Sequence, residues 1–229
     1  MQVVTDRALI GHGGDAGSTA HETVYRRLRE RIFFGGFLPG RSVTLRGLAE
    51  ELGVSPMPVR EAVRRLIAER ALAMQGNGRV VVPLMTRDKF EQVLFARSAL
   101  EPELAARALS RLSPTDIEAV ALIDQEIDQT LLNGDAEGYM RGNFRFHFTI
   151  YSHAGAGTLL ALVESIWLQF GPFMRMAYGR IGTKCLEDHH QAALEAMRRG
   201  DEAALRAAIR ADIGQGMGFI GDGALDPLQ

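Results

Sequence analysis

Apolar positions along this chain recur at helical spacing, and the clearest instance lies between residues 44 and 67. Leu45, Leu48, Ala49 and Leu52 follow the i, i+3, i+4, i+7 pattern of one buried helical face. Gly53 can take the left-handed conformation that ends such a helix, and Ser55 stands where an N-cap belongs. Pro56 and Pro58 fit a first turn that needs no internal N–H donors. A second apolar stripe of Val59, Ala62, Val63, Leu66 and Ile67 leaves Arg60, Arg64 and Arg65 on faces the core does not use. The pattern predicts a helix, a short turn and a second helix with arginines near its start. In a helix-turn-helix that start enters the major groove, and arginine suits both phosphate oxygens and the acceptor edge of guanine. An ordinary helical hairpin with a solvated basic face has the same spacing.

The segment just downstream favours the DNA-reading unit. Residues 71–82, ALAMQGNGRVVV, hold two short β-prone runs around Gly76-Asn77-Gly78, a hairpin signal because such turns need positive φ. A hairpin placed there is a wing, presenting Asn77 and Arg79 to the backbone or the minor groove. Upstream, Ser18 or Thr19 caps a helix to about Phe34, with Val24, Leu28 and Ile32 inward. The first 18 residues lack periodicity and are expected to be disordered.

From Arg87 the pattern is helical throughout. Helices are predicted near 87–111, from Ser113 to Leu132, to about His153, from about Thr158 to Arg180 with a bend at Gly171-Pro172, and near 183–199 and 201–220. The fold class is therefore mainly α: a winged helix-turn-helix at 19–83, a linker at 84–86, an antiparallel six-helix bundle at 87–221 and a frayed tail from 222.

Charge divides along the same boundary. Residues 20–83 carry 11 Lys and Arg against 6 Asp and Glu, whereas residues 84–229 carry 14 against 20. A polyanion partner suits the first part only. The single cysteine, Cys185, cannot form an internal disulfide, and there is no export signal or run of 18 apolar residues. A cytoplasmic protein without membrane association is expected.

Polar residues on core-facing stripes are where the bundle's chemistry should lie. Asn143 and His147 share a face with Met140, Ile150 and Ala154; His190 lines up with Ala193, Leu194 and Met197; Asp212 extends the stripe of Leu205, Ala208 and Ile209. A buried Asp needs a partner. Two imidazoles and a carboxylate form a common ligand set for a divalent transition metal, with an amide oxygen as a weaker fourth donor. Each residue singly is equally a hydrogen-bonded core residue, and periodicity alone does not bring three helices to one point.

The stretch LPGRSVTLRGLAEELGVSPMPVREAVRRL, within residues 22–83, resembles the winged-helix domain of GntR-type bacterial transcription regulators. The remainder is similar to the FCD effector domain of that family's FadR branch, through ARSALEPELAARA, NFRFH and HQAALEAMRRGDEAALRAAIRAD. The resemblance implies DNA contacts at Arg46, Ser55, Met57, Arg60, Arg64 and the wing residues Gly76, Asn77, Gly78 and Arg79. Pro56 departs from a frequently basic family position and has no N–H to donate. The resemblance also implies a divalent metal, zinc, nickel or manganese, held by an aspartate and three histidines. Those four positions fall on Asn143, His147, His190 and Asp212, so two depart from the pattern while one acid is retained. Arg97 matches an arginine that pairs with an effector carboxylate, and Tyr151 and Arg175, with Trp167 and Tyr178, are candidates for the cavity wall.

The implied protein is a homodimeric repressor that binds palindromic operator DNA and responds to a small carboxylate. Three rival readings remain: a metal-free pocket that holds the acid directly, a 2-His-1-carboxylate metalloenzyme, and a DNA-binding protein whose effector site senses nothing.

Overall fold

The computed structural model describes residues 19–178 and 187–224, and the expected N-terminal tail lies outside them. The head comprises α1 (Ala20–Phe33), β1 (Ser42–Val43), α2 (Leu45–Leu52), α3 (Pro56–Ala68), β2 (Ala73–Met74) and β3 (Val80–Val81). The body comprises α4 (Arg87–Leu109), α5 (Pro114–Asn133), α6 (Ala136–Ser152), α7 (Gly157–Tyr178), α8 (His189–Arg199) and α9 (Glu202–Ala224). No helix among the described residues is long and apolar enough to cross a membrane.

The helix-turn-helix forms for the reasons its sequence suggests. The Thr44 side chain accepts from the Gly47 amide at 3.0 Å to open α2. Gly53 closes it at φ 67°, where a Cβ would be strained, and the chain turns directly into α3. Leu48, Val59, Val63 and Leu66 are buried, so the two helices share one core with α1.

The wing has three strands where the hairpin signal indicated two. The antiparallel order is β1-β3-β2, with Val80 opposite both Val43 and Met74. Two-residue β1 has no periodicity to reveal it, and its pairing depends on the chain crossing back over the wing. At the tip, Gly78 donates to the Gln75 carbonyl at 2.9 Å with φ 75°, while Gly76 keeps a negative-side conformation. The tight turn therefore rests on one of the two expected glycines.

In the body, Thr86, Ser113, Asp135 and Asp188 cap their helices through side-chain oxygens. Helix α9 lies at the centre, packed on α4, α7 and α8, and α5 joins α6 and α8. Helix α7 runs unbroken through Gly171 and Pro172, and α4 likewise carries Pro102 in its interior. The last helix continues to Ala224, beyond the expected end of the domain at 221. It already holds Gly214, Gly216 and Gly218 in its interior, so a glycine at 221 is no stop signal by itself.

Helix α1 is shared by the two parts, packing on α3 of the head and α7 of the body. At the crossing a Cβ on Gly171 would lie 3.0 Å from the Phe33 carbonyl oxygen, so the two backbones approach closely only because the side chain is absent. Arg29 pairs with Glu164 at 3.0 Å, and the Arg141 guanidinium covers the Phe34 ring at 4.1 Å. Phe33 packs against Phe144 with centroids 4.9 Å apart, making the hydrophobic core continuous between head and body.

Candidate functional site

On the helix-turn-helix, the start of α3 is open. Arg60 is exposed and makes no hydrogen bond or ion pair among the described residues. Met57 is 66% exposed. Ser55 occupies the N-cap position without its hydroxyl capping anything. Arg64 touches Glu61 at 3.4 Å and Arg46 touches Glu50 at 2.9 Å, both exposed pairs of a kind that contributes about 1 kcal/mol or less. The wing differs from expectation. Arg79 donates to the Ser42 hydroxyl at 2.9 Å, and the Asn77 side chain accepts from the Arg79 amide at 3.0 Å. Both residues are engaged in holding the wing together.

The body brings His147, His190 and Asp212 together from α6, α8 and α9, with one ligand atom of each within 4.8 Å of the others. Asp212 Oδ2 lies 3.1 Å from His147 Nε2, and its Oδ1 lies 3.6 Å from His190 Nε2. Both Nε2 atoms are buried and lack an aligned hydrogen-bond partner. Ligand atoms about 2.0–2.2 Å from one shared ion sit about 3–3.6 Å apart, so the spacing suits a divalent metal. Asn143 is buried one turn before His147.

The other ring nitrogens explain the orientation. His190 Nδ1 donates to Asp124 at 2.8 Å, and Asp124 also accepts from the Gln191 amide group at 2.9 Å. His147 Nδ1 lies 3.1 Å from the Tyr151 hydroxyl, which donates to Glu101 at 3.0 Å. The Tyr151 proton is committed to that carboxylate, so its oxygen accepts and His147 Nδ1 carries a hydrogen. Both histidines are thus fixed with Nε2 toward Asp212, the outer-shell arrangement that orients metal-binding imidazoles. Glu101 is fully buried and also accepts from Arg97 at 2.5 Å and from Trp167 Nε1 at 3.1 Å.

The charged groups at this point shift one another's protonation. Burial opposes the charge of Asp212, yet His147, 3.1 Å away, with His190 and Arg97 beyond, holds its carboxyl well below the usual range. Burial likewise opposes protonation of His190, but the Asp124 hydrogen bond and the charges of Asp212, Asp124 and Asp188 raise its pKa. Beside the centre a cavity of about 180 Å³ has Asp124, Asp128, Asp188 and Asp212 in its wall, with Tyr139 and Ile127 opposite.

The three residues expected to meet an effector differ in their surroundings. Arg97 is buried, but its guanidinium is bound to Glu101 four residues along and stacked over Phe170 at 4.0 Å. Tyr151 is fully buried as the link between His147 and Glu101. Arg175 is exposed, its aliphatic stem leaning toward Gly35. Sequence reasoning missed Asp124 and Glu101. Asp124 carried a usable signal, an acid on the stripe of Val120, Ile123 and Ile127. Glu101 carried no such signal, because four-residue spacing to Arg97 is also that of an ordinary surface pair.

Comparison with known proteins agrees with this architecture. Residues 20–82 match the family described as "Bacterial regulatory proteins, gntR family", and residues 92–215 match the "FCD domain". The chain is 27% identical to "HTH-type transcriptional regulator McbR" of Escherichia coli (strain K12) over 185 residues, 80% of this chain and 84% of that protein. It is 25% identical to "Uncharacterized HTH-type transcriptional regulator YdhC" of Bacillus subtilis (strain 168) over 187 residues, 79% of this chain and 82% of that protein. The solved structure of E. coli McbR/YncC superposes with a TM-score of 0.84 at 25% identity, covering 90% of this chain and 99% of that one. The chain therefore belongs to the GntR family and is a transcription regulator with an FCD effector domain, not an enzyme.

Proposed function

We propose that this regulator is a homodimeric repressor whose body holds a divalent metal at His147, His190 and Asp212 and uses it to recognise a small organic acid. The observation that carries the reading is the pair of buried Nε2 atoms aimed at one carboxylate, each without an aligned partner. Asn143 stands one turn from His147 as a further oxygen donor. A bound divalent ion supplies a Lewis-acidic anchor for a carboxylate.

The acidic wall of the adjoining cavity favours the metal reading over a metal-free pocket. With Arg97 neutralised by Glu101 and four aspartates around the cavity, an acid arriving without a metal meets net repulsion. The protein's own groups then act around the anchor. Asp124 and Tyr151 hold the two imidazoles in their tautomers, and the Asp212 carboxylate balances the ion's charge.

Coupling to DNA runs through the packing. His147 lies against Trp167, Trp167 against Phe144, and Phe144 against Phe33 of α1, which also buttresses α3. An acid that binds one placement of α6 and α7 more tightly shifts the two heads of a dimer relative to the half-sites of a palindrome, lowering operator affinity by its differential affinity.

Metal analysis of full-length protein purified without chelator and incubated with zinc, nickel or manganese tests the centre. One ion per chain in the wild type, lost in His147→Ala, is expected; absence of bound metal after all three incubations overturns the reading.

A further inference from the structure

A second recess lies between head and body, and none of its lining residues belongs to the histidine centre. It has a volume of about 400 Å³, within the range of small-molecule sites. The loop after α3 supplies Arg70 and Leu72, α4 supplies Lys89 and Val93, and α7 supplies Ile166. Two features set it apart from an ordinary interdomain crease. First, its cations are uncommitted: neither Arg70 nor Lys89 has a hydrogen-bonded or ionic side-chain partner among the described residues. Lys89 is half-buried and Arg70 exposed; burial together with the nearby Arg70 charge lowers the Lys89 pKa, and the two like charges line one recess. Secondly, Arg70 has φ 60°, the only left-handed non-glycine residue among those described. That conformation caps α3, with the Ala71 amide donating to the Leu66 carbonyl at 3.0 Å, and so fixes the backbone from which Arg70 lines the recess.

From this geometry we infer that the recess between Arg70 and Lys89 binds a small organic anion with an apolar body, separately from the histidine centre. The anionic group meets the two cations, one from the head and one from the body. The hydrocarbon part lies on Ile67, Leu72, Val93 and Ile166. A molecule seated there touches both parts of the chain at once and stabilises the one arrangement in which their surfaces meet.

Octanoate and inorganic phosphate serve as probes, titrated calorimetrically into full-length protein as purified and after EDTA treatment. Saturable binding of one octanoate per chain is expected in both preparations, about tenfold tighter than phosphate. Lys89→Gln and Arg70→Asn, the latter keeping a residue that tolerates positive φ, should each weaken octanoate binding about tenfold or more. Ala96→Trp, which fills the recess and leaves its charge intact, should abolish it. No saturable binding in the wild type, undiminished affinity in both charge variants, loss of binding on EDTA treatment, or phosphate binding as tightly as octanoate would each overturn the proposal.

Discussion

Arg60 stands exposed on α3 with no partner among the described residues, whereas His147 is completely buried and tied through Tyr151 to Glu101, Arg97 and Trp167. The contrast is between a surface proposed to recognise an external partner and a centre whose proposed recognition groups also hold the core. On the recognition helix, binding and folding are separable, since the apolar stripe of α3 is satisfied without its arginines. At the centre they are not. Removing any member leaves a buried polar atom without its partner.

The largest expected effect breaks the comparison if it fails. Glu101→Ala strands the buried Arg97 guanidinium along with the Tyr151 hydroxyl and Trp167 Nε1, and should cost about 3–5 kcal/mol in urea unfolding. A loss under 1 kcal/mol would mean that the centre is as separable from the fold as the DNA-facing surface. Arg60→Ala is the matching change on the head. It should weaken operator binding by about 1–3 kcal/mol at fixed salt if the arginine reads a base, with unfolding changed by less than about 0.5 kcal/mol. Asp124→Ala sharpens the contrast within the body, because it removes the group that orients His190 and leaves the three ligands in place. Metal affinity measured by chelator competition should fall about 10- to 100-fold, with operator affinity of the apo protein unaltered.

The smallest effect concerns a capping carboxylate remote from both sites. The hydroxyl and backbone amide of Ser113 hold the Asp116 pKa below its ordinary value of 3.8. A lowered carboxylate pKa stabilises the folded state above the unfolded value, and the contribution is lost as pH falls through the folded one. Asp116→Asn should therefore cost a few tenths to about 1 kcal/mol near neutrality, and the difference from wild type should shrink below about pH 3. A pH-independent difference would assign the cost to packing instead.

The same contrast explains how much of the molecule is legible in its sequence. The helix-turn-helix rests on local chemistry: a stripe, a left-handed glycine, an N-cap and two early prolines, all visible within some twenty residues. The wing is legible at Gly78 but not at β1, whose two residues pair only after the chain has folded back. His147, His190 and Asp212 stand out because each places a polar group on an apolar stripe, and the structure brings all three together. Asp124 obeys the same rule and is equally findable. Glu101 is not, since four-residue spacing to an arginine looks alike whether the pair faces water or the core. Arg97 shows the cost of that ambiguity: its alignment with an effector-facing arginine fits its burial but gives no sign of the carboxylate that already occupies it.

Trp167 is the chain's single tryptophan, and its indole nitrogen donates to the carboxylate that orients His147 through Tyr151. Its ring lies 5.5 Å from that imidazole and 4.9 Å from the Arg97 guanidinium. Tryptophan emission from the unlabelled protein therefore comes from one indole with both groups beside it. If the proposed metal fills the centre, the field at that ring changes, and the emission becomes a native optical gauge of occupancy that can be followed in stopped flow with operator DNA present.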